Sequence, residues 1–173
     1  MQFWKPPQEV FNLVDEIINK YHLPRLEEAH ICIAFNDSKP FKNDKFNWGK
    51  VVRFNQFNQL WQKASYDFCI VLSADVWNDM LNADQRKALI DLHLTRCRVE
   101  YEPETVLEGN KKKVVKDEHG RTKYTNTVKV DDSGKPKWKL SKLDLEVFSS
   151  NVSRFGLWCE ELLDFKDIVV NAA

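Results

Sequence analysis

A chain of 173 residues, 43% of them hydrophobic, is long enough to bury one ordinary core and too short for two comfortable domains. Lysine plus arginine total 26 and aspartate plus glutamate total 26, so no net charge draws the whole protein to nucleic acid or acidic lipid. No stretch approaches the roughly 20 apolar residues of a membrane span, and Met1–Pro7 lacks the pattern of a signal peptide. The composition therefore predicts one domain over residues 1–173 with no membrane partner.

The cysteines indicate the compartment. The chain has four of them, widely spaced and without a Cys-x-x-Cys pair: Cys32, Cys69, Cys97 and Cys159. Cys32 and Cys69 lie within apolar runs, which is typical of free thiols in a reducing environment. We therefore expect a cytoplasmic location.

The first half of the chain predicts a helix followed by strands. After Pro6-Pro7, apolar residues recur at helical spacing as far as Tyr21, which predicts a first amphipathic helix ending before Pro24. Strands are predicted over Ala29–Phe35, Val51–Phe54 and Tyr66–Leu72, the last of which is the clearest buried strand.

The second half begins with a helix. Asn82 followed three residues later by Gln85 has the pattern of a capping box, which predicts a helix from Asn82 to about Val99. Turn signals at 118–121 and 131–134, each flanked by β-branched residues, then predict an exposed β-hairpin at about 104–140.

A last helix is predicted near the end of the chain. Ser141 with Asp144 can cap it, and an apolar stripe that includes Val152 and Phe155 carries it to about Gly156.

Several of these segments share a pattern with one known family. The strand Tyr66-Asp67-Phe68-Cys69-Ile70-Val71-Leu72-Ser73-Ala74-Asp75 is followed by Gln85-Arg86-Lys87-Ala88-Leu89-Ile90-Asp91 and then by Leu92-His93-Leu94-Thr95-Arg96. Leu143-Asp144-Leu145-Glu146-Val147-Phe148 and Arg154-Phe155-Gly156-Leu157-Trp158 come later. Together these segments resemble the putative phage metallopeptidase family, over nearly the whole chain.

The resemblance implies a fold and an activity. It implies an α+β, zincin-like fold with a small mixed sheet, a long motif helix, and a hairpin insertion before a closing helix. It also implies a phage or prophage origin. In that family the motif helix carries His-Glu-x-x-His, in which two imidazoles bind Zn²⁺ and the glutamate is the general base.

This chain departs from the pattern where the metal would bind. Leu92 and Arg96 occupy the two histidine positions, His93 occupies the glutamate position, and Leu143 stands where a third ligand is expected. Leucine has no donor atom, and arginine places a fixed positive charge where the dication belongs. The substitutions predict a protein without peptidase activity, catalytic residues or a cofactor.

Two alternative roles remain for residues of the motif helix: a relocated zinc site and a stabilising ion pair. His93 and Cys97 are four residues apart and share a helix face, so with His30 they could form a relocated zinc site of an active metallopeptidase. Arg96 could instead form an ion pair with Asp144, Glu146 or Glu100 and act as a strut.

The predicted hairpin is rich in basic residues. Six of them lie close together, and they are candidates for binding a partner: Lys111, Lys112, Lys113, Lys116, Arg121 and Lys123. Residues 98–142 carry 12 basic and 8 acidic side chains, whereas residues 143–173 carry 2 and 6. The basic group fits either nucleic-acid phosphates or a solvated hairpin whose lysines protect an edge strand.

Three functions remain open at this point. The first is a non-catalytic protein, or pseudoenzyme, that binds a protein or other macromolecule of the host or of its defence system. The second is a zinc-dependent metallopeptidase with relocated ligands, and the third is a nucleic-acid-binding accessory protein.

Overall fold

The computed structural model describes residues 1–39, 41–42, 45–46, 48–54, 65–109, 111–141 and 149–158. Within these residues the chain combines helices with several small sheets, which confirms the predicted α+β class. Contacts divide it into two compact units, one formed by residues 1–97 with 140–173 and the other by residues 98–139. The described helices include none that is both long and apolar enough to cross a bilayer.

The first unit contains a four-stranded mixed sheet. Its strands, in chain order, are β1 (Phe3–Trp4), β2 (Ile31–Asn36), β5 (Lys50–Arg53) and β6 (Phe68–Ser73). In space the order is β1-β2-β6-β5, with β2 and β6 parallel and the two outer pairings antiparallel. The predicted strands are confirmed with shifts of one or two residues. A separate two-stranded pair links β3 (Phe41–Lys42) to β4 (Lys45–Phe46).

The residue directly before β5 is a glycine that lies against the backbone of β6. Gly49 has a φ of 100°, and a Cβ atom there would lie 2.4 Å from the carbonyl oxygen of Val71. Any other residue would therefore clash with the backbone of β6, whose first residues pair with β5.

The described part of this unit has three α-helices and, after β6, a π-helical segment over Val76–Met80. The first, α1 (Gln8–Ile17), continues through a π-helical turn over Ile18–His22, so the helical segment ends where the sequence predicts. The motif helix, α2 (Ala83–Arg96), begins at the predicted Asn82 cap and ends three residues before Val99. The last helix, α3 (Ser149–Phe155), ends before Gly156 as expected. Its predicted cap, Ser141 with Asp144, stays a prediction because Asp144 lies outside the described residues.

The core of the first unit lies between the sheet and the helices. Buried apolar side chains of the sheet include Phe35, Phe68 and Ile70, and buried side chains of the helices include Ile17 and Leu89. The exclusion of these side chains from water is the main force that holds α1 and α2 in place.

The second unit consists of short antiparallel strands. They form three pairs, which are β7 (Cys97–Val99) with β12 (Trp138–Leu140), β8 (Tyr101–Pro103) with β11 (Tyr124–Val128), and β9 (Thr105–Glu108) with β10 (Lys111–Val114). Both β9 and β10 are exposed along their whole length, as expected of the predicted hairpin region. The single-domain assignment stays a prediction.

The two predicted turns of this unit have the same construction. Asp117 Oδ1 accepts hydrogen bonds from the backbone of His119 and Arg121 at 2.9 and 2.8 Å. Asp131 Oδ1 accepts from the backbone nitrogens two and four residues later, at 2.9 and 3.0 Å. Gly120 and Gly134 supply the positive φ, 75° and 79°, that each turn requires. The sequence pattern Asp-x-x-Gly therefore builds the same turn twice.

Candidate functional site

The motif helix is buried on every side near its C-terminal end. Eight consecutive residues of α2, from Ala88 to Thr95, are buried. Leu92, in the first ligand position, is 5% exposed, and His93, in the general-base position, is 3% exposed. A peptidase site needs an open position for water and substrate, and neither of these two side chains provides one.

The start of this helix is fixed by the predicted capping box. The Asn82 side chain accepts a hydrogen bond from the Gln85 backbone at 2.9 Å, and the Gln85 side chain accepts one from the Asn82 backbone at 3.0 Å. Gln85 Nε2 also donates to the carbonyl oxygen of Trp158 at 3.1 Å. One residue therefore caps α2 and holds the segment that follows α3.

Asp91 lies at the centre of a buried polar network. Its carboxylate is 0% exposed, and Oδ1 accepts hydrogen bonds from His22 Nε2, at 2.8 Å, and from the guanidinium of Arg154. Oδ2 accepts from Asn151 Nδ2 at 2.8 Å, and Asn151 Oδ1 accepts from Trp158 Nε1 at 2.6 Å. The carboxylate is therefore satisfied by groups from α3 and from the end of the first helical segment.

The hydrogen bonds define the protonation of His22. Its Nδ1 atom faces the guanidinium of Arg25, which can only donate, so Nδ1 is the acceptor and Nε2 carries the proton donated to Asp91. Burial lowers the pKa of His22, and the positive charge of Arg25 adds to that effect. His22 is thus a neutral bridge between Arg25 and Asp91.

Arg25 also closes the C-terminal end of the motif helix. It donates to the carbonyl oxygens of Thr95 at 3.3 Å and Cys97 at 2.8 Å. These carbonyls are among those that a helix leaves without partners at its C-terminus, where a cation is favourable.

His93 is buried without comparable partners. Neither ring nitrogen makes a hydrogen bond to the described part of the chain. Burial and the charge of Arg96 lower the pKa of His93 to about 4. The backbone carbonyl of Trp48 lies near the ring and favours its protonated form, but it does not meet hydrogen-bond geometry with either ring nitrogen. The imidazole is therefore neutral at pH 7.

Arg96 is half-buried, and its Nε donates to the carbonyl oxygen of Ser141 at 3.5 Å. Of the ion-pair partners predicted for it, Asp144 and Glu146 lie outside the described residues. Glu100 contacts Lys129, with 3.9 Å between Oε2 and Nζ. The strut therefore stays a prediction, and the contact observed is with a backbone carbonyl.

The described residues do not bring the alternative zinc ligands together. Cys97 is buried, and its thiol donates to the backbone carbonyl of His93 at 3.4 Å. Burial raises the pKa of Cys97 to about 12, which disfavours the thiolate that zinc requires. The His30 ring is 75% exposed and lies 3.6 Å from Asp67. Within the described part of the chain, no three acidic, histidine or cysteine side chains form a cluster suited to a metal ion.

The substituted motif itself does not fit a metal. Leu92 offers no donor atom and Arg96 a fixed positive charge, and Leu143 lies outside the described residues. The residues that stand at the ligand positions are therefore unsuited to the zinc that the family resemblance implies.

Other residues of the shared pattern have clear structural contacts. Arg86 donates to the carbonyl oxygens of Trp77, at 2.9 Å, and Asn78, at 3.2 Å, and its guanidinium lies 5.6 Å from the centre of the Trp77 ring. Arg154 and Trp158 both join the Asp91 network. These residues of the family pattern therefore stabilise the packing of the helices.

The basic residues predicted to bind a partner are all exposed. They are Lys111, Lys112, Lys113, Lys116, Arg121 and Lys123, all within the second unit. Lys113 pairs with Glu108, with 3.0 Å between Nζ and Oε1. This exposed pair neutralises part of the charge, while the remaining cations face solvent.

Sequence reasoning missed three members of the buried network. His22 and Arg25 follow the first helix in a segment without a recognisable motif, and Asn151 lies in the apolar stripe of α3. The only available signal was a polar residue, Asn151, among Phe148, Val152 and Phe155 at helical spacing.

Comparison with known families identifies a match over most of the chain. The family model described as putative phage metallopeptidase matches residues 2–171. No curated protein and no solved structure matches the chain.

Proposed function

This chain belongs to the putative phage metallopeptidase family, and we propose that it is a non-catalytic member that acts by binding a macromolecule of the host cell or of a host defence system. We place its action in the host cytoplasm, in line with its free, widely spaced cysteines. The observation that carries the proposal is the burial of Leu92 and His93 at the positions where the family's motif requires a ligand and a base.

Three features of the site support the loss of catalysis. A leucine cannot bind zinc, and the guanidinium of Arg96 repels a dication. The pKa of His93, about 4, makes its buried ring a weak base at neutral pH. The Asp91 network nevertheless holds α2 and α3 in place, so the scaffold persists without the chemistry.

Zinc content is the direct test. Protein purified without chelator, loaded with excess zinc and desalted, is expected to contain far less than one zinc per chain by elemental analysis. The positive control is Leu92→His/His93→Glu/Arg96→His with Leu143→His, which restores the family's ligands and base. Near-stoichiometric zinc in the unmodified protein, with chelator-sensitive hydrolysis of denatured casein, would overturn the proposal in favour of relocated ligands.

A specific observation favours a second candidate function, nucleic-acid binding through the second unit. The six basic side chains named above are all exposed, and the exposed ring of Tyr124 lies 5.3 Å from Lys139 Nζ. Cations that contact phosphates and rings that stack on bases are the usual means of binding single strands.

The salt dependence of oligonucleotide binding tests whether these lysines bind nucleic acid or only keep the hairpin solvated. We expect a labelled single-stranded oligonucleotide to bind at low salt and to lose affinity steeply as salt rises. Lys111→Gln/Lys112→Gln/Lys113→Gln is expected to weaken binding at least tenfold. The control Lys5→Gln/Lys20→Gln/Lys87→Gln makes the same change in net charge on the first unit. Equal effects of the two triple variants would count against a specific surface.

A further inference from the structure

Two cysteines lie side by side at the centre of the sheet. Cys32 on β2 is the register partner of Cys69 on β6, and the two strands are parallel. Both residues are half-buried free cysteines. Each thiol is close enough to the other to shift its pKa, and the reduced Cys69 thiol donates to the carbonyl oxygen of Ile70, with 3.9 Å between sulfur and oxygen. This dithiol is separate from the motif helix and from the Asp91 network.

The backbone geometry suits a bond between the two sulfur atoms. Neighbouring strands are about 4.7–4.9 Å apart, and disulfides join Cα atoms that are about 4.4–6.8 Å apart. Residues in register also point to the same face of a sheet. The register therefore puts the Cα atoms of Cys32 and Cys69 at a spacing that a disulfide can join, with both side chains on one face of the sheet.

The surroundings give the two thiols different roles. A hydrogen bond from Cys32 and the positive charge of Lys50 lower the pKa of Cys69, although burial opposes them. Donation to Cys69, together with burial, raises the pKa of Cys32. Lys50 lies two residues from Val52, the β5 partner of Cys69, and so on the same face. Cys69 is thus the better nucleophile and Cys32 the proton donor.

We propose that Cys32 and Cys69 form a reactive dithiol site that a hydroperoxide converts to an intramolecular disulfide. The Cys69 thiolate attacks the distal peroxide oxygen, the O–O bond breaks, and the released oxyanion takes a proton, which leaves a sulfenic acid on Cys69. The Cys32 sulfur then attacks the Cys69 sulfur, the S–O bond breaks, and hydroxide leaves with the Cys32 proton as water. Two thiols lose two electrons and the peroxide gains them; a thiol reductant reverses the change.

The test counts thiols after oxidation. Protein reduced and freed of reductant is treated with a small excess of hydrogen peroxide, and thiols are titrated in denaturant. We expect loss of two of the four thiols, a mass lower by two hydrogen atoms, and a linked peptide pair containing Cys32 and Cys69. Dithiothreitol should restore all four thiols.

Single variants test the separate roles. Cys32→Ser should leave a sulfenic acid on Cys69 that dimedone labels, whereas Cys69→Ser should abolish fast loss of thiols. Cys159→Ser is the matched control and should still form the Cys32–Cys69 link. Circular dichroism checks that each variant is folded. A link between chains, a pair other than Cys32 with Cys69, or oxidation of Cys69 no faster than that of free cysteine would overturn the proposal.

Discussion

Asp91 and His93 lie two residues apart on the same buried helix, yet their surroundings are opposite. Asp91 accepts hydrogen bonds from His22, Asn151 and Arg154. His93 has no hydrogen bond from either ring nitrogen within the described part of the chain. The hydrogen bonds of Asp91 connect α2 to α3 and to the segment that contains His22. The ring of His93 makes no such connection within the described residues.

The difference separates residues of the motif helix that stabilise the fold from residues that only a reaction would require. A buried carboxylate is stable only when it is paired and hydrogen-bonded, so the loss of any one partner has a large cost. A catalytic base is required only for the reaction, so its position would tolerate substitution in the non-catalytic protein that we propose. In this chain the structural part of the motif remains, and the positions of the reactive groups hold other residues.

The largest effect expected from this comparison is at Asp91. Asp91→Asn leaves one acceptor oxygen and places an NH₂ group either against the donors of His22 and Arg154 or against the donor of Asn151. We expect it to lower the free energy of unfolding by about 3–5 kcal/mol, the range for breaking a buried ion pair. Urea denaturation followed by circular dichroism measures the change.

A matched control uses the same helix and the same substitution. Asp84 is exposed in the first turn of α2, so Asp84→Asn should cost only about 0.3–1 kcal/mol through the helix dipole. If the two variants were equally stable, the Asp91 network would not be the element that holds α2 and α3 together.

The next largest effect is the loss of folding stability in acid that His93 causes. Because the folded pKa is about 4, below the ordinary 6.5, the unfolded chain binds more protons between these values, and stability falls as pH drops from 6.5 to 4. The shift corresponds to about 3 kcal/mol. His93→Leu removes this part of the acid sensitivity, and at pH 7 it should leave stability unchanged or raise it by about 1 kcal/mol.

Unfolding curves at pH 7 and pH 4.5 measure both effects. His30→Gln is the control, because it removes a histidine whose ring is largely exposed. A loss of more than about 2 kcal/mol at pH 7 in His93→Leu, as expected for a broken buried hydrogen bond, would contradict the comparison with Asp91.

Much of the fold follows from local patterns. The capping box at Asn82, the apolar strand before it and the Asp-x-x-Gly turns are short-range signals, and the structure confirms them. The family was also recognisable, because Gln85–Asp91 and Arg154–Trp158 keep their spacing. These features depend on residues that are near one another in sequence.

The buried network was not predictable in the same way. His22 and Asp91 are 69 residues apart, and Asn151 and Asp91 are 60 apart. Nothing local to His22, Arg25 or Asn151 says which carboxylate they will meet, because only the packing of three segments brings them together. Spacing likewise suggested that His93 and Cys97 could share a metal, whereas the Cys97 thiol bonds to a backbone carbonyl.

The smallest effect is expected at Arg96, whose charge acts on the His93 side of the comparison. Its charge is the second cause of the lowered pKa of His93, so Arg96→Gln should raise that pKa and reduce the loss of stability in acid by less than His93→Leu does. At pH 7 the change should be below about 1 kcal/mol, since its contact with Ser141 is 3.5 Å long. NMR titration of the His93 ring measures its pKa, and urea denaturation measures the free energy of unfolding.

Arg96→Lys is the control, because it keeps the charge near His93 and loses the Nε donor. A cost well above 1 kcal/mol in both variants would support Arg96 as a strut. An unchanged His93 pKa in Arg96→Gln would mean that burial alone keeps the ring neutral.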